Sequence, residues 1–381
     1  MKILIAISDS FCANFIKGQG KYLKEKGHDV VIVSGPGIEV DNLEKNEGVK
    51  VIRVDFAREI SPIRDFRALL KVIKIIRKEK PDIINAGNPK TGFLFSLAHV
   101  FFRDIPLIFT LRGVRSDTLV GLKKKIVRFT EYLSCTLSNK VISISPSLKE
   151  HAIDINIVKE SKCVVLSQGS SNGINVTYYS PNAEIALKSK DFLDEHKLDS
   201  SVFKVLFVGR ITKDKGIEEL LDAFNECILK GAKMKLILAG PIEKSDSLNE
   251  IYYEQLEKSE HIIYLGKQLD VRHLYDLADC LVLYSYREGF GNVVIEASSF
   301  GVPTVVADIP GLRDTTIDNE TGLIVKSKDV ESLVEALLKL YSDEMLCDRL
   351  GKNGVKRIHT YFKNETVWSA QNDLYKELVN E

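Results

Sequence analysis

No hydrophobic run in this sequence is long enough to span a bilayer, which takes about 20 residues. The six cysteines are scattered without close pairing, which disfavours a zinc site or a disulfide framework and favours a reducing compartment. The first residues, MKILIAISDS, contain a short apolar run without a small-residue cleavage site. This pattern is typical of a first core strand and not of a signal peptide.

Three further motifs are missing. Gly18-Gln19-Gly20 is followed by Leu23 where a dinucleotide fingerprint would have its third glycine, so a dehydrogenase is disfavoured. No Gly-x-x-x-x-Gly-Lys-Ser/Thr motif occurs, which disfavours a P-loop kinase or ATPase. No Asp-x-Asp pair occurs either, so we expect chemistry that needs no metal ion and no cofactor.

The net charge of zero hides an asymmetry between the two halves of the chain. Residues 1–190 carry 30 Lys and Arg against 19 Asp and Glu, whereas residues 191–381 carry 23 against 34. A basic half can face anionic lipid head groups, a phosphate-bearing substrate or nucleic acid. Solvated surface lysines are the simpler interpretation of any single basic residue.

Short apolar runs alternate with amphipathic helical patterns in both halves of the 381-residue chain, as in DVVIVSG and FKVLFVGR. Nearly continuous Val, Ile and Leu in such runs indicates parallel strands that are covered on both faces. We therefore predict an α/β protein with two doubly wound domains and a ligand site in the cleft between them. The predicted domains are 1–170, with a C-terminal helix at about 363–381, and 171–362.

The stretch VGRITKDKG places two cations just after a predicted strand of the second domain. The strand ends at Gly209, whose lack of a side chain lets a ligand approach the backbone, and Arg210 and Lys215 follow. Two cations at the carboxyl end of a strand suit a diphosphate. A solvated loop with incidental charges is the alternative.

The stretch EGFGNVVIE has a glutamate at each end, Glu288 and Glu296. Gly289 and Gly291 leave backbone N–H groups free to point at an anion, and a helix predicted to begin near Asn292 adds its dipole. Each carboxylate can accept hydrogen bonds from sugar hydroxyls, so the segment has the shape of a nucleotide-sugar site. In the alternative interpretation, Glu288 caps the helix and Glu296 is a solvated helical residue.

These motifs, together with GVPTVVAD and IPGLRD, resemble those of the family 4 retaining glycosyltransferases of the GT-B fold over nearly the full length of the chain. The resemblance implies that Glu288 contacts the donor sugar and Glu296 the ribose, while Arg210 and Lys215 neutralise the diphosphate leaving group. It also implies a donor contact along the turn, which comprises Phe290, Gly291, Asn292 and Val293. The implied donor is a UDP-sugar.

A closer similarity lies in Asn88-Pro89-Lys90-Thr91-Gly92, Leu111-Arg112-Gly113 and Gly169-Ser170-Ser171-Asn172-Gly173. These motifs are similar to those of a bacterial branch that builds capsular and O-antigen polysaccharides. That branch includes N-acetyl-L-fucosaminyltransferases and transferases that act on undecaprenyl-pyrophosphate-linked acetamidosugars. The resemblance implies transfer of an N-acetylated sugar to a polyprenyl-pyrophosphate-linked glycan. A UDP-sugar 2-epimerase-like enzyme and a non-catalytic nucleotide-sugar-binding protein are the alternatives.

The chain departs from the family pattern at two places. Many members have a histidine that contacts the donor sugar where this chain has Arg112, so we assign that role to Arg112 as a hypothesis. The usual glycine pair after the first strand is absent, and only Gly18 and Gly20 lie nearby.

The acceptor is expected on the first domain, because cations there follow predicted strands and could hold a pyrophosphate. The predicted acceptor residues are Asn88, Lys90, Thr91, Arg112 and Arg115.

Residues 119–129, LVGLKKKIVRF, mix apolar and basic residues in a pattern suited to an anionic membrane surface. A helix that packs on the core and exposes its lysines to solvent is the alternative. We expect a cytoplasmic protein at the inner face of the membrane, without a nucleic-acid partner.

Overall fold

The computed structural model describes residues 1–57, 59–199, 201–243 and 246–380. The chain forms two compact units, one made of Met1–Gly173 with Asn364–Glu381 and the other of Ile174–Lys363. We call them unit 1 and unit 2.

Unit 1 is a seven-stranded parallel sheet with the strand order β3-β2-β1-β4-β5-β6-β7. Its strands are β1 (Lys2–Ala6), β2 (Asp29–Ser34), β3 (Lys50–Arg53), β4 (Ile83–Ala86), β5 (Leu107–Leu111), β6 (Lys140–Ser143) and β7 (Cys163–Val165). Its helices are α1 (Gln19–Glu25), α2 (Ile38–Glu47), α3 (Pro62–Glu79), α4 (Pro89–His99), α5 (Gly121–Leu137), α6 (Pro146–Asp154) and the last helix of the chain, α14 (Asn364–Asn380).

Unit 2 is a six-stranded parallel sheet with the strand order β10-β9-β8-β11-β12-β13. Its strands are β8 (Phe203–Val208), β9 (Met234–Ala239), β10 (Ile262–Tyr264), β11 (Cys280–Leu283), β12 (Thr304–Ala307) and β13 (Gly322–Val325). Its helices are α7 (Ala183–Glu195), α8 (Ile217–Leu229), α9 (Glu250–Lys258), α10 (Arg272–Leu277), α11 (Asn292–Ser299), α12 (Val330–Ser342) and α13 (Glu344–Tyr361). The prediction of two doubly wound parallel sheets is confirmed.

The nearly continuous apolar strands follow from burial on both faces of each sheet. In β1, Ile3 and Ile5 belong to a core that includes residues of α14, whereas Leu4 and Ala6 belong to a separate core with residues of α3. Alternate residues of a strand point to opposite faces, so both sets of residues from Ile3 to Ala6 have to be apolar.

A buried polar network attaches α14 to the sheet of unit 1. The Tyr375 hydroxyl accepts hydrogen bonds from Asn85 Nδ2 at 2.8 Å and from Gln371 Nε2 at 2.7 Å. Asn85 Oδ1 in turn accepts from Thr110 Oγ1 at 2.8 Å, which links the network to β5. Trp368 Nε1 donates to Asn172 Oδ1 at 2.6 Å. The last helix is therefore fixed to unit 1 by specific polar contacts as well as by apolar packing.

Replacing Tyr375 by Phe should lower the free energy of unfolding of unit 1 by about 1–3 kcal/mol, because two buried amide donors lose their acceptor. Trp368 is the only tryptophan of the sequence and lies on α14, so its fluorescence during urea unfolding reports on this unit. Tyr132→Phe, at a position on α5 that is 44% exposed, is the matched control and should change stability little. Equal unfolding midpoints for Tyr375→Phe and wild type would contradict a stabilising role of the network.

Candidate active site

The switch point of the unit 2 sheet lies between β8 and β11. In the sheet, β8 is flanked on its other side by β9, the next strand in sequence, and β11 is flanked on its other side by β12. The strand order therefore runs in opposite directions from this point. Open α/β sheets bind ligands at the carboxyl ends of the two strands that flank such a point. The predicted residues Gly209 and Arg210 follow β8 directly, and Glu288 lies in the loop after β11.

Lys215 and Glu288 join the two loops at this switch point. Lys215 Nζ donates to Glu288 Oε1, which also accepts from Ser285 Oγ at 3.0 Å. Their side chains are only 14% and 17% exposed. Gly216 makes the approach possible, because it has a φ of +66° and a Cβ there would lie 2.2 Å from the Tyr284 carbonyl oxygen. The alternative of a solvated loop with incidental charges is therefore wrong for Lys215.

Arg210 carries two acidic partners of its own. Its Nη1 donates to Glu243 Oε2 at 2.8 Å, and its Nη2 lies 3.4 Å from Asp214 Oδ2. Gly209 donates its backbone N–H to the Ala239 carbonyl at 2.9 Å, so the turn that carries Arg210 is anchored to β9. A diphosphate brought to this edge would compete with carboxylates for both cations.

The predicted turn from Glu288 to Asn292 leads into α11, which begins at Asn292 as expected. Gly291 is the N-cap residue, with a φ of +76°, and no side chain caps the helix, so Glu288 does not act as a cap. Phe290 points into the core against Phe362, with ring centroids 5.4 Å apart, so a donor could meet only its backbone. Asn292 and Val293 are half-buried.

Glu296 lies in the second turn of α11 and is half-buried. Its Oε2 accepts a hydrogen bond from the Tyr275 hydroxyl at 2.9 Å. Burial raises the pKa of Glu296 above its ordinary value, and interactions with the Tyr275 and Tyr179 hydroxyls oppose that rise. The alternative of a solvated helical residue is therefore wrong for this carboxylate.

The switch point of unit 1 lies between β1 and β4, and the predicted Asn88 follows β4. Asn88 Oδ1 accepts from the Ser8 N–H at 3.4 Å. Arg112 follows β5, and it donates from Nε to Ser171 Oγ at 2.7 Å and from Nη1 to the Gly87 carbonyl. Burial lowers the pKa of Arg112 to about 10. Arg112 thus joins the Leu111-Arg112-Gly113 motif to the Gly169–Gly173 motif, and it contacts the residue that precedes the predicted Asn88.

The other predicted acceptor residues already have partners within unit 1. Lys90 Nζ lies 2.8 Å from both carboxylate oxygens of Asp65, and Arg115 lies 3.6 Å from Glu59. The buried Thr91 hydroxyl donates to the backbone carbonyl of Ala6 or of Asn88, at 3.4 and 3.3 Å. Thr91 therefore supports the start of α4, and an acceptor would have to compete for the charge of Lys90.

The N-terminus of α1, where the family's glycine pair is missing, holds an internal acid. Glu47 accepts from the Gly18 N–H at 2.6 Å and from the Lys21 N–H at 3.1 Å. Burial raises the pKa of Glu47. Glu47 thus occupies these backbone amides, and an anionic ligand would have to displace it to bind there.

Several residues at these sites were not predicted from the sequence, namely Asp214, Glu243, Ser285, Tyr179, Tyr275, Glu47 and Ser171. Asp214 stands four residues after Arg210, but this segment is not an α-helix, so the helical spacing of ion pairs does not predict the contact. Ser285 stands three residues before Glu288, whereas the others are contacts between distant segments, for which the sequence carries no local signal. Within the described ranges, no group of three or more His, Cys, Asp or Glu side chains is arranged to hold a metal ion.

Two family profiles match this chain. Residues 188–357 match the profile described as glycosyl transferases group 1, and residues 13–177 match glycosyltransferase family 4. Among solved structures, a glycosyltransferase from Rickettsia africae has a TM-score of 0.81 at 21% identity and covers 100% of this chain and 99% of its own. Anabaena HepE in complex with UDP has a TM-score of 0.80 at 18% identity, with coverage of 99% and 100%.

Curated relatives are similar over nearly the whole chain. The capsular polysaccharide biosynthesis glycosyltransferase CapM of Staphylococcus aureus is 35% identical over 382 residues, which cover 100% of this chain and 98% of the relative. An N,N'-diacetylbacillosaminyl-diphospho-undecaprenol alpha-1,3-N-acetylgalactosaminyltransferase of Campylobacter jejuni is 26% identical and covers 90% of each chain. The chain therefore belongs to the group 1, family 4 glycosyltransferases and is a transferase of the GT-B fold that serves capsular polysaccharide biosynthesis.

Proposed function

We propose that this enzyme transfers an N-acetylated sugar from a UDP-sugar to an undecaprenyl-pyrophosphate-linked glycan, with retention of configuration. N-acetyl-L-fucosamine is the first candidate for the sugar. The observation that carries the proposal is the group of two cations, a helix N-terminus and two carboxylates at the β8/β11 switch point. The Campylobacter relative, whose name specifies a diphospho-undecaprenol acceptor, supports the choice of acceptor class.

Cleavage of the sugar–diphosphate bond leaves negative charge on the diphosphate, which the protein has to stabilise. Arg210 and Lys215 supply cations, and the N-terminus of α11 supplies backbone N–H groups and its dipole, so we propose that no metal ion is required. As Lys215 turns to the diphosphate, Glu288 exchanges its ammonium partner for the hydroxyls of the donor sugar. The acceptor hydroxyl attacks from the same face and passes its proton to the departing phosphate oxygen.

We propose that Arg112 contacts the reacting sugar and the acceptor. Of the cations predicted for that side, Lys90 and Arg115 have carboxylate partners. Within the part of the chain that the structure describes, Arg112 contacts a carbonyl, a hydroxyl and the Phe15 ring, whose centroid lies 5.5 Å from the guanidinium carbon. A half-buried guanidinium without an acidic partner is suited to bind an anion. Asn88 lies beside it and provides an uncharged polar group.

Helices α3 and α5 form the surface that we propose for membrane contact. Both pack against α4, and no helix in the described part of the chain is long and apolar enough to cross a bilayer. Leu122, Ile126 and Phe129 of α5 are 72%, 43% and 59% exposed, which disfavours the alternative of a core-packed helix. Exposed apolar side chains of α3 add to them, namely Ile63, Phe66 and Leu70. Apolar residues beside Lys123–Lys125 suit the interface of an anionic membrane.

Replacing Glu288 and replacing Glu296 should have different effects on UDP affinity and on kcat. Glu296→Ala should weaken UDP binding about tenfold or more, because hydrogen bonds to the ribose are lost. Glu288→Ala should lower kcat about 100-fold or more, because donor positioning is lost, with a smaller loss of UDP affinity than Glu296→Ala. Calorimetric titration with UDP measures the affinity, and initial-rate kinetics at a fixed acceptor concentration measure kcat. Equal losses of UDP affinity in both variants would refute this division of roles.

Replacing Lys123, Lys124 and Lys125 by Gln should weaken binding to anionic vesicles, by up to about 1 kcal/mol for each lysine, and leave binding to neutral vesicles unchanged. Flotation with phosphatidylglycerol-rich and phosphatidylcholine vesicles measures this difference. The matched control replaces the exposed Lys258, Lys326 and Lys352 of unit 2 by Gln, with the same change in charge. Unchanged flotation of the α5 variant would contradict membrane contact through this helix.

The donor and acceptor classes are tested together with a panel of UDP-sugars and undecaprenyl-pyrophosphate-linked monosaccharides, with the products read by mass. We expect one N-acetylated donor to extend the lipid-linked acceptor, and we expect turnover to persist with EDTA. UDP release that does not need the acceptor would favour the epimerase-like alternative. UDP-sugar binding without any product, or loss of turnover with EDTA, would contradict the corresponding part of the proposal.

A further inference from the structure

The Glu296 carboxylate is held from α10 by a fully buried tyrosine. The Tyr275 side chain has 0% exposure, and its hydroxyl donates to Glu296 Oε2 at 2.9 Å. A buried phenol needs a hydrogen-bond partner, and Glu296 is the partner that the structure provides. The ring of Tyr275 also packs against Phe300, with centroids 5.8 Å apart, which fixes the direction of the hydroxyl.

A second tyrosine reaches the same carboxylate from the segment that opens unit 2. The Tyr179 hydroxyl interacts with Glu296, and the Ser299 hydroxyl of α11 donates to the Tyr179 backbone carbonyl. The neighbouring Tyr178 ring lies under Arg272, with 3.8 Å between the guanidinium carbon and the ring centroid. Arg272 is itself held by Asp270, through Nε at 2.9 Å and Nη2 at 2.6 Å. Tyr179 is thus fixed by contacts on both sides.

The two phenols use only part of the hydrogen-bonding capacity of the Glu296 carboxylate. An ionised carboxylate has about four acceptor positions, and one of them accepts from the Tyr275 hydroxyl. This hydrogen bond stabilises the charged, acceptor-only form of Glu296 against its burial, and the interaction with Tyr179 acts in the same direction. The acceptor positions that remain are available for hydroxyl donors such as those of a ribose.

We propose that Tyr275 and Tyr179 are positioning residues that hold the Glu296 carboxylate in the orientation in which it contacts the ribose. This inference rests on the proposed function, in which Glu296 contacts the ribose. It adds the residues that hold the carboxylate and the part of the nucleotide that depends on them.

The test measures binding of UDP and of 2′,3′-dideoxy-UDP by calorimetry to wild type, Tyr275→Phe and Tyr179→Phe. Each variant is expected to bind UDP about five- to tenfold more weakly and to bind dideoxy-UDP within about twofold of wild type, since only the ribose contact changes. Tyr275→Phe removes a buried donor and leaves a half-buried carboxylate, so we expect it to fold. Tyr178→Phe, whose ring faces Arg272, is the matched control and should bind both nucleotides like wild type.

The Glu296→Ala background supplies the second measurement. If Tyr275 acts only through Glu296, adding Tyr275→Phe to Glu296→Ala should weaken UDP binding no further. Equal losses for UDP and dideoxy-UDP in the tyrosine variants would show a merely structural role and overturn the inference, as would no loss at all. If wild type binds UDP and dideoxy-UDP equally, the ribose role of Glu296 itself is wrong. That result refutes the proposed function at this residue and the positioning role with it.

Discussion

The ion pair between Lys215 and Glu288 is the interaction on which the unit 2 site depends. It connects the loop after β8 with the loop after β11, and it does so where the sheet reverses its order. Removing one partner of a pair this buried leaves the other charge uncompensated, which is costly. The pair therefore links the two loops and keeps both charges at the proposed donor site.

The same constraint explains why the cations of this site have acidic partners. Arg210 is held between Glu243 and Asp214, as Lys215 is held by Glu288, so each cation has a fixed place before any anion reaches it. A diphosphate, with more charge than a carboxylate, can replace such a partner, since it presents several acceptor oxygens at once. Preorganised charge of this kind needs little rearrangement when negative charge develops on a leaving group.

The fold was largely predictable from the sequence because parallel strands buried on both faces need uninterrupted apolar runs. The start of α11 at Asn292 was predictable because Gly291 can adopt the left-handed conformation of the N-cap. The partners of the site residues were not predictable. Tyr179 and Glu243 reach Glu296 and Arg210 from other loops, and neither contact follows from a periodicity or a spacing. The glycines therefore indicated where the backbone turns, whereas the partners of the charged residues are set by the tertiary structure and could not be predicted.

Glu288 and Glu296 show how one short motif can carry two kinds of chemistry. Glu288 precedes the helix, where it meets a cation that an incoming anion can take from it. Glu296 lies inside the helix, where it meets two neutral phenols. An ionic partner can be exchanged in the course of a reaction, whereas phenols packed in a core cannot leave. The first carboxylate is thus suited to change its contacts when the donor binds, and the second to keep one orientation throughout.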